Sequence, residues 1–410
     1  MFDSDSGEAG NMISRELIEL IYEAASIQRW NDHIRPHRGF TELDKQAHKM
    51  IFAYVLAKFE EDDRGKGVDW KRLIEGGIFE FLHRIVLTDI KPPIFHQLMA
   101  EKGALLNNWV LGRLEEKLTG LGGDFLGNME KYLQQEEYCR LEKKILKASH
   151  YLATNWEFKI IFNLNASLFG LEDTKAKIED EIEEHYELAG VQKLQLGKKT
   201  SNFMDMVGQL RFQQRWAQTP RIPETSVMGH MLIVAMLSYF LSIEAGACNK
   251  RIYNNFFGGL FHDLPEVLTR DIVSPVKRSV PGLDELIKGI EQRQLEEKLL
   301  PLLPSAWHKE IKYFTEDEFK NRIFKNDGVR FVGAGEIDRE YNQDIFSPLD
   351  GELVKICDQF AAYVEAYMSL SHGIRSRHLA EGHQQIYRMY RGSTPAGFDF
   401  GYLFDYFKPE

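Results

Sequence analysis

The residues with the clearest capacity for chemistry are His262 and Asp263, which stand side by side after the apolar run GGLF. Burying an imidazole and a carboxylate without a partner is costly, whereas a divalent cation would satisfy both groups. Two more candidate ligands lie far away in sequence, His230 in MGHMLIVAMLSYF and Asp358 in LVKICDQFAAYVEAY. Both segments read as buried helices, in which an unpaired charge would cost several kcal/mol. These four residues predict a site for one divalent metal ion.

The predicted ligands do not determine which metal ion would bind. Two imidazoles and two carboxylates, with positions left for water, suit Mn²⁺, Fe²⁺, Co²⁺, Ni²⁺ or Zn²⁺. The structural alternative is that the four side chains are hydrogen-bonded core residues. Asp338 is a rival fourth ligand, although its surroundings, GEIDREYN, are polar and typical of a loop.

The order His230, His262-Asp263, Asp358 resembles the ligand pattern of the HD-domain metal-dependent phosphohydrolases. The surrounding residues look most like the branch that removes phosphate from nucleoside and deoxynucleoside 5′-monophosphates. The resemblance covers about residues 205–370. The chain departs from it at Gly229, where relatives usually carry an acidic residue, and in a longer stretch between Asp263 and Asp358.

The resemblance implies roles for two acidic residues near the metal site. Glu266 and Asp271 follow His262 by four and nine residues, where family members carry carboxylates that orient water and handle the leaving-group proton. The alternative for Glu266 is a surface residue or helix cap. The alternative for Asp271 is a cap for the turn before Ser274-Pro275.

The resemblance also implies a substrate-binding group. Arg215 lies fifteen residues before His230, at the place of the family's phosphate-binding arginine, and a guanidinium suits bidentate contact with phosphate. Trp216 would pack against a sugar or base, and Lys277 would assist with phosphate. The alternative for Arg215 and Trp216 is a structural role at a domain interface.

The elements that must position these residues are helices. Apolar residues recur at three- and four-residue spacing, strand-like alternation is scarce, and prolines separate the helical stretches. The clearest helical stretches are residues 13–27, 48–59, 141–152, 229–243 and 353–368. We therefore predict an all-α fold. Residues 4–11 are expected to be a disordered end, and the aromatic tail 398–407 to dock on the chain's own core.

An internal repeat indicates two tandem HD-like helical bundles. A shift of 182 residues places His48 on His230, Gly76-Gly77 on Gly258-Gly259 and Asp89 on Asp271, with ten identities over residues 48–95. The predicted domains are a degenerate one at about 12–190 and a catalytic one at about 195–405, with a helical insertion near 280–345.

The first copy differs where chemistry would occur. Glu80-Phe81 replaces His262-Asp263, Arg84 replaces Glu266, and His150 stands opposite Asp358, while Arg29-Trp30 repeats Arg215-Trp216. A phenylalanine cannot bind a metal, so we expect a regulatory or dimerising domain, or one kept only for packing. Metal retention through His48, Glu80 and His150 is the less favoured alternative.

The net charge, apolar runs and cysteine content of the chain bear on its class of function and its location. A net charge of −11 gives no general basic field for nucleic acid, and no run of 18 apolar residues predicts a membrane span. Three scattered cysteines and an acidic N-terminus without signal-peptide features favour the cytoplasm. The expected partner is a nucleotide, with a homodimer left open.

Two function classes follow. The first is a metal-dependent phosphohydrolase of nucleoside or deoxynucleoside 5′-monophosphates, with deoxynucleoside triphosphates and signalling nucleotides as alternative substrates. The second is a nucleotide-sensing or scaffold protein that binds without turnover.

Overall fold

The computed structural model of the 410-residue chain describes residues 13–30, 40–88, 90–272, 280–325, 328–391 and 400–409. Its first half is built from helices that are joined by short turns. In chain order they are α1 Arg15–Glu23, α2 Glu42–Arg64, α3 Trp70–Leu87, α4 Pro92–Leu118, α5 Phe125–Gln134, α6 Arg140–Asn165, α7 Leu171–Glu183, α8 Ala189–Gln195 and α9 Lys199–Gly208.

The second half is also mainly helical. Its α-helices are α10 Val227–Glu244, α11 Asn249–Phe261, α12 Glu266–Thr269, α13 Leu283–Gln294, α14 Ser305–Thr315, α15 Ala334–Glu336, α16 Gly351–Ser371, α17 Arg377–Tyr390 and α18 Gly401–Asp405. Strands β1 Arg322–Lys325 and β2 Gly328–Phe331 form a small antiparallel hairpin, with Arg322 opposite Phe331. The all-α prediction is confirmed, and the hairpin is a local addition that the sequence did not signal.

Two central helices, α2 and α10, begin in the same way. The side chain of Thr41 caps α2 by accepting the backbone N–H of Asp44, and that of Ser226 caps α10 by accepting the N–H of Gly229. Such caps satisfy a backbone donor that has no partner inside the helix. Both capping side chains also bind Asp44. Its two carboxylate oxygens accept hydrogen bonds from the hydroxyls of Thr41 and Ser226. The first turns of the two helices are therefore held together by polar contacts.

The ligand-bearing helices of the second half pack closely around α10. A Cβ added at Gly259 of α11 would lie 3.0 Å from backbone atoms of Ala235 in α10, so this crossing requires glycine. Helices α11 and α16 both contact α10. This packing brings His230, the end of α11 and Asp358 to one place.

The two halves share one hydrophobic core. Tyr54 of α2 packs on Phe257 and Phe261 of α11, with ring centroids 5.0 and 5.2 Å apart. Tyr239 of α10 donates a hydrogen bond to Glu75 of α3 at 2.8 Å. The boundaries at 12–190 and 195–405 stay a prediction, but the contacts show that the halves are not packed independently.

Helix α10 is long and apolar enough to span a membrane, by length and composition alone. However, 89% of that window is buried inside the protein, which is typical of a core helix. The described part of the tail, residues 400–407, also packs inward, since Phe404 and Phe407 are fully buried. The predicted disordered end at 4–11 lies outside the described residues.

Candidate metal centre

His230 is held in the first turns of α10 and is fully buried. Its Nε2–H donates to Asp358 Oδ1 of α16 at 2.9 Å, and its Nδ1 lies 3.9 Å from Glu365 Oε1. That Nδ1 atom is buried and has no hydrogen-bond partner among the described residues. Burial lowers the pKa of His230, with the nearby Arg215 adding to the effect, so the imidazole is held neutral as a metal ligand requires.

His262 directly follows the last residue of α11, and Asp263 is next to it. The Nδ1–H of His262 donates to the carbonyl of Gly259 at 2.8 Å, which leaves Nε2 as the nitrogen that would bind a metal ion in exchange for its proton. Nε2 is buried and lies 3.2 Å from Asp263 Oδ2 without a hydrogen bond. Burial opposes charge on this ring, yet the Asp263 carboxylate raises the pKa of His262 to about 9. A proton on His262 thus compensates the negative charge of Asp263, as a bound metal ion would.

Three of the four predicted ligands converge. Ligand atoms of His230, His262 and Asp358 all lie within 4.8 Å of one another, and this is the one such group among the described residues. Asp263 stands at the edge of the group, next to His262 rather than inside it. Burial disfavours charge on both aspartates, but the histidines hold the pKa of Asp358 well below its usual range and that of Asp263 at about 2. The orphaned nitrogens and ionised carboxylates fit a divalent metal ion.

Arg215 and Trp216 lie beside this group and share one acidic partner that the sequence analysis missed. Glu365 Oε2 accepts the indole N–H of Trp216 at 3.0 Å and the Nε–H of Arg215 at 3.4 Å. Arg215 Nη1 also lies 3.8 Å from Asp263 Oδ2. Glu365 is seven residues, or two helical turns, after Asp358. The signal for it was a second acidic residue on the buried face of an otherwise apolar helix.

Glu365 is itself held by two further groups. The hydroxyl of Thr225 donates to its Oε1 at 2.6 Å, and Arg221 Nη1 lies 3.6 Å from its Oε2. Burial disfavours ionisation, but Arg221 and Arg215 lower the pKa of Glu365 to about 2. The carboxylate is therefore charged and fixes the orientation of both predicted substrate residues.

The remaining predicted residues are placed as follows. Glu266 is the first residue of α12 and is 7% exposed, one turn beyond His262. Asp271 is half-buried and close enough to raise the pKa of Arg215 together with other carboxylates. Lys277 lies outside the described residues. Asp338 accepts a 2.7 Å hydrogen bond from Arg251 and lies outside the ligand group.

The first half contains the same arrangement of arginine, tryptophan and glutamate. Glu157 Oε2 accepts the Nε–H of Arg29 at 2.8 Å and the indole N–H of Trp30 at 2.9 Å. Trp30 and Trp216 both adopt positive φ, +65° and +55°. The separation from His150 to Glu157 equals that from Asp358 to Glu365. The geometry is therefore repeated in detail, although the overall sequence identity is low.

The structure changes one pairing of the internal alignment. His230 is the fourth residue after the cap Ser226, and the fourth residue after the cap Thr41 is Lys45, not His48. The side-chain nitrogen of Lys45 contacts Nδ1 of His150, just as His230 contacts Asp358. His48 instead donates to Met204 O at 3.2 Å and accepts from Arg211 at 3.1 Å, so both of its ring nitrogens are engaged.

A second buried lysine, Lys49, also distinguishes the first half from the second. Lys49 pairs with Glu80, which also accepts the hydroxyl of Tyr132 at 2.6 Å. Both Lys45 and Lys49 are fully buried. Burial lowers the pKa of Lys45 well below its usual value, so Lys49, paired with Glu80, provides the positive charge in the first half. Asp89 lies outside the described residues.

Comparison with known proteins finds relatives of this chain. The family model for the HD domain matches residues 207–387. A 5′-deoxynucleotidase of Vibrio atlanticus is 25% identical over 181 residues, which are 43% of this chain and 78% of that protein. A 5′-deoxynucleotidase of Vibrio parahaemolyticus is 27% identical over the same shares of the two chains, and one of Vibrio vulnificus is 30% identical over 28% of this chain and 60% of its own. No solved structure matches the chain.

Proposed function

We propose that the second half of this chain, in which residues 207–387 match the family model for the HD domain, is a metal-dependent phosphohydrolase that releases phosphate from nucleoside or deoxynucleoside 5′-monophosphates. The observation that carries the proposal is the convergence of His230, His262 and Asp358 beside the guanidinium of Arg215. His230, His262, Asp263 and Asp358 would hold one divalent ion. When bound, such an ion lowers the pKa of a water molecule and so supplies a nucleophile near neutral pH.

The protein's own groups would bind and orient the phosphate. Arg215 presents a guanidinium whose orientation is fixed by Glu365, and a guanidinium binds phosphate oxygens in bidentate fashion. Phosphoryl transfer depends mainly on positioning and on neutralising negative charge, so a pre-oriented cation favours the reaction. Trp216, fixed by the same carboxylate, would pack against the sugar or base.

Two acidic residues would orient the attacking water and protonate the leaving group. Glu266, one turn beyond His262 and largely buried, is the better placed of them to orient the attacking water. Asp271 would protonate the leaving oxygen of the nucleoside. A carboxyl group in either role typically contributes about 10²–10⁴-fold to the rate.

The first half would lack this chemistry. Its Lys45 stands at the place of His230, its Lys49 pairs with Glu80, and Phe81 stands where Asp263 stands in the second half. Together with the repeated contacts of Arg29 and Trp30, this supports the proposal that the first half is a degenerate copy of the catalytic domain. A cytoplasmic location and a homodimer stay predictions.

The direct test is a phosphate-release assay on the metal-loaded chain. A panel should contain nucleoside and deoxynucleoside 5′-monophosphates, deoxynucleoside triphosphates and cyclic nucleotides. We expect release of inorganic phosphate from the monophosphates, and no release by Asp358→Ala protein. Turnover restricted to triphosphates or signalling nucleotides would change the substrate class, and tight binding without any product would replace the hydrolase with a nucleotide sensor.

A further inference from the structure

A row of apolar side chains runs along the exposed face of α4. Ile94 and Leu98 are 50% and 37% exposed, and Leu105 and Trp109 are 64% and 52% exposed. Their spacings of four and seven residues place them on one face of a helix. We call these four residues the α4 stripe. Single exposed apolar residues are ordinary in folded proteins, but several in line on one helix mark an interaction surface.

The core of the protein uses the opposite face of α4. The buried residues of this helix all lie in its second part, and they are Asn107, Val110, Leu114 and Leu118. With 3.6 residues per turn, Val110 and Leu114 point away from the α4 stripe. No residue from 92 to 106 is buried, and the structure describes all of them. The stripe is therefore free to pack against a partner.

The order of residues along the α4 stripe fits a second copy of the same stripe. When two α4 helices lie antiparallel about a two-fold axis at the middle of the stripe, Leu98 of one protomer lies opposite Leu105 of the other. Ile94 then lies opposite Trp109. A two-fold interface uses one self-complementary patch from each protomer, and this pattern meets that condition.

Two charged residues at the middle of the stripe favour the same pairing. Glu101 and Lys102 are both exposed. In the antiparallel arrangement, Glu101 of each protomer faces Lys102 of the other, whereas a parallel arrangement would oppose like charges. The helix bends at Lys102, where φ and ψ are −136° and 17°. The bend lies beside the two-fold axis and is the same in both protomers, so it preserves the symmetry. Such charge complementarity fixes orientation and register.

A membrane surface fits the α4 stripe less well than a second copy does. Helices that lie on membranes usually carry an excess of lysine and arginine beside their apolar face. In contrast, α4 contains three basic and three acidic residues.

We propose that the α4 stripe is the interface of a homodimer, in which the α4 helices of two protomers pack antiparallel about a two-fold axis between Glu101 and Lys102. The stripe spans about 22 Å at 1.5 Å per residue, so the dimer is weak and depends on concentration. This assigns an interaction role to the first half. It does not depend on the hydrolase proposal, because association is measured without turnover.

The first test is sedimentation equilibrium of the full-length chain at concentrations up to about 100 μM, where a dimer with a micromolar dissociation constant predominates. Leu105→Glu should weaken dimerisation by at least about tenfold, because it places a charge in an apolar contact. Leu286→Glu, at a 58% exposed leucine of α13, is the matched control and should associate like wild type. Circular dichroism should show the same helix content in all three proteins, since both leucines are exposed.

The second test exchanges the two central charges. Glu101→Lys and Lys102→Glu should each weaken dimerisation by about tenfold, because each replaces two opposite-charge contacts with like-charge contacts. The double variant that carries both substitutions restores opposite charges across the axis and should associate like wild type. An equal mixture of the two single variants should form heterodimers for the same reason. Loss of folding could not produce either rescue.

Three outcomes would overturn the proposal. Wild-type protein that is monomeric over the whole concentration range has no such interface, and a dimer that Leu105→Glu leaves unchanged uses another surface. Single charge variants that stay monomeric when mixed would exclude the antiparallel two-fold pairing. Monomeric wild-type protein that sediments with vesicles of phosphatidylcholine and phosphatidylglycerol would assign the stripe to a membrane instead.

Discussion

At the residue scale, the candidate centre shows how one charge can replace another. His262 is buried, which by itself favours the neutral ring, yet the adjacent carboxylate of Asp263 raises its pKa to about 9. In the first half, Lys49 meets the carboxylate of Glu80, and the side-chain nitrogen of Lys45 contacts the ring of His150. Both halves therefore hold a positive charge beside a carboxylate, Lys49 beside Glu80 and protonated His262 beside Asp263, and only the second provides it in a form that a metal ion can replace.

The first prediction concerns metal content. We expect about one divalent transition metal ion per chain, and His262→Ala or Asp263→Ala should abolish it because each removes a ligand from a small donor set. His48→Ala should retain the metal, since His48 is engaged by Met204 and Arg211 in the first half. Elemental analysis of the purified proteins checks this. Two metal ions per chain, or unchanged metal in Asp263→Ala protein, would contradict the assignment.

The second prediction separates catalysis from metal binding. Glu266→Gln keeps the size of the side chain and removes its proton-transfer capacity, so kcat should fall by about 10²-fold or more while metal content stays constant. Steady-state kinetics on the preferred monophosphate, with elemental analysis in parallel, measures both quantities. Full turnover by Glu266→Gln protein would show that another group handles the proton.

The third prediction concerns Arg215. If its guanidinium contacts phosphate equally in the ground and transition states, Arg215→Gln should mainly raise KM and leave kcat near wild type. Arg29→Gln is the matched control, because Arg29 makes the same contact with Glu157 in the first half. A similar rise of KM in both variants would indicate loss of folding rather than loss of a substrate contact.

At the element scale, the sequence predicted where the helices lie. It did not predict which residues of α2 correspond to which residues of α10. The five periodic stretches all fall inside observed helices or extend only a few residues beyond them. The gap-free alignment, however, followed sequence identities and paired His48 with His230, whereas the helix caps pair Lys45 with His230. Caps fix where a helix starts, and a shift of three residues keeps the same face, so periodicity alone could not detect it.

Other elements carried no readable signal. The β1–β2 hairpin is only four residues per strand, and short strands cannot be distinguished from loops by alternation. Glu365 was missed because an acidic residue near the end of an apolar helix is usually solvated. Its importance depends on Arg215, Trp216 and Thr225, which come from a different part of the chain.

The fourth prediction concerns Glu244 at the end of α10, whose Oε2 accepts a 3.3 Å hydrogen bond from Tyr402 of the tail. Burial raises the pKa of Glu244 from 4.5 to about 7. The folded state thus binds this proton more tightly than the unfolded chain does. The resulting stability is complete below about pH 4.5 and is lost as the pH rises through about 7.

Glu244→Gln should therefore reduce the decline in the free energy of unfolding between these pH values, because glutamine cannot ionise. Urea unfolding at a series of pH values measures the effect. Glu172→Gln, at an exposed position in the first turn of α7, is the control and should keep the wild-type slope. An unchanged slope in Glu244→Gln protein would mean that the burial of Glu244 does not set this pH dependence.

At the scale of the whole molecule, the two halves depend on each other for burial. Phe59 of α2 packs on Trp307 of the second half at 4.7 Å between ring centroids, and the indole N–H of Trp307 donates to Asp62 at 2.5 Å. A further contact joins the halves, because Phe125 of α5 packs on Phe240 of α10 at 5.5 Å between ring centroids. The first half thus keeps its apolar framework although its ligand positions have changed.

The last prediction tests this dependence with a fragment spanning residues 195–410. The fragment contains all four predicted metal ligands, but removal of the first half would expose Phe257, Phe261 and Trp307, each worth about 1.5–3 kcal/mol when buried. We expect the fragment to melt at a lower temperature than the full chain and to self-associate, since a large exposed apolar surface promotes association. Calorimetry and light scattering measure these properties, and phosphate release measures the remaining activity. A monomeric fragment as stable and active as the full chain would show that the first half is an independent appendage, and the shared core would then have to be explained by a binding role of that half.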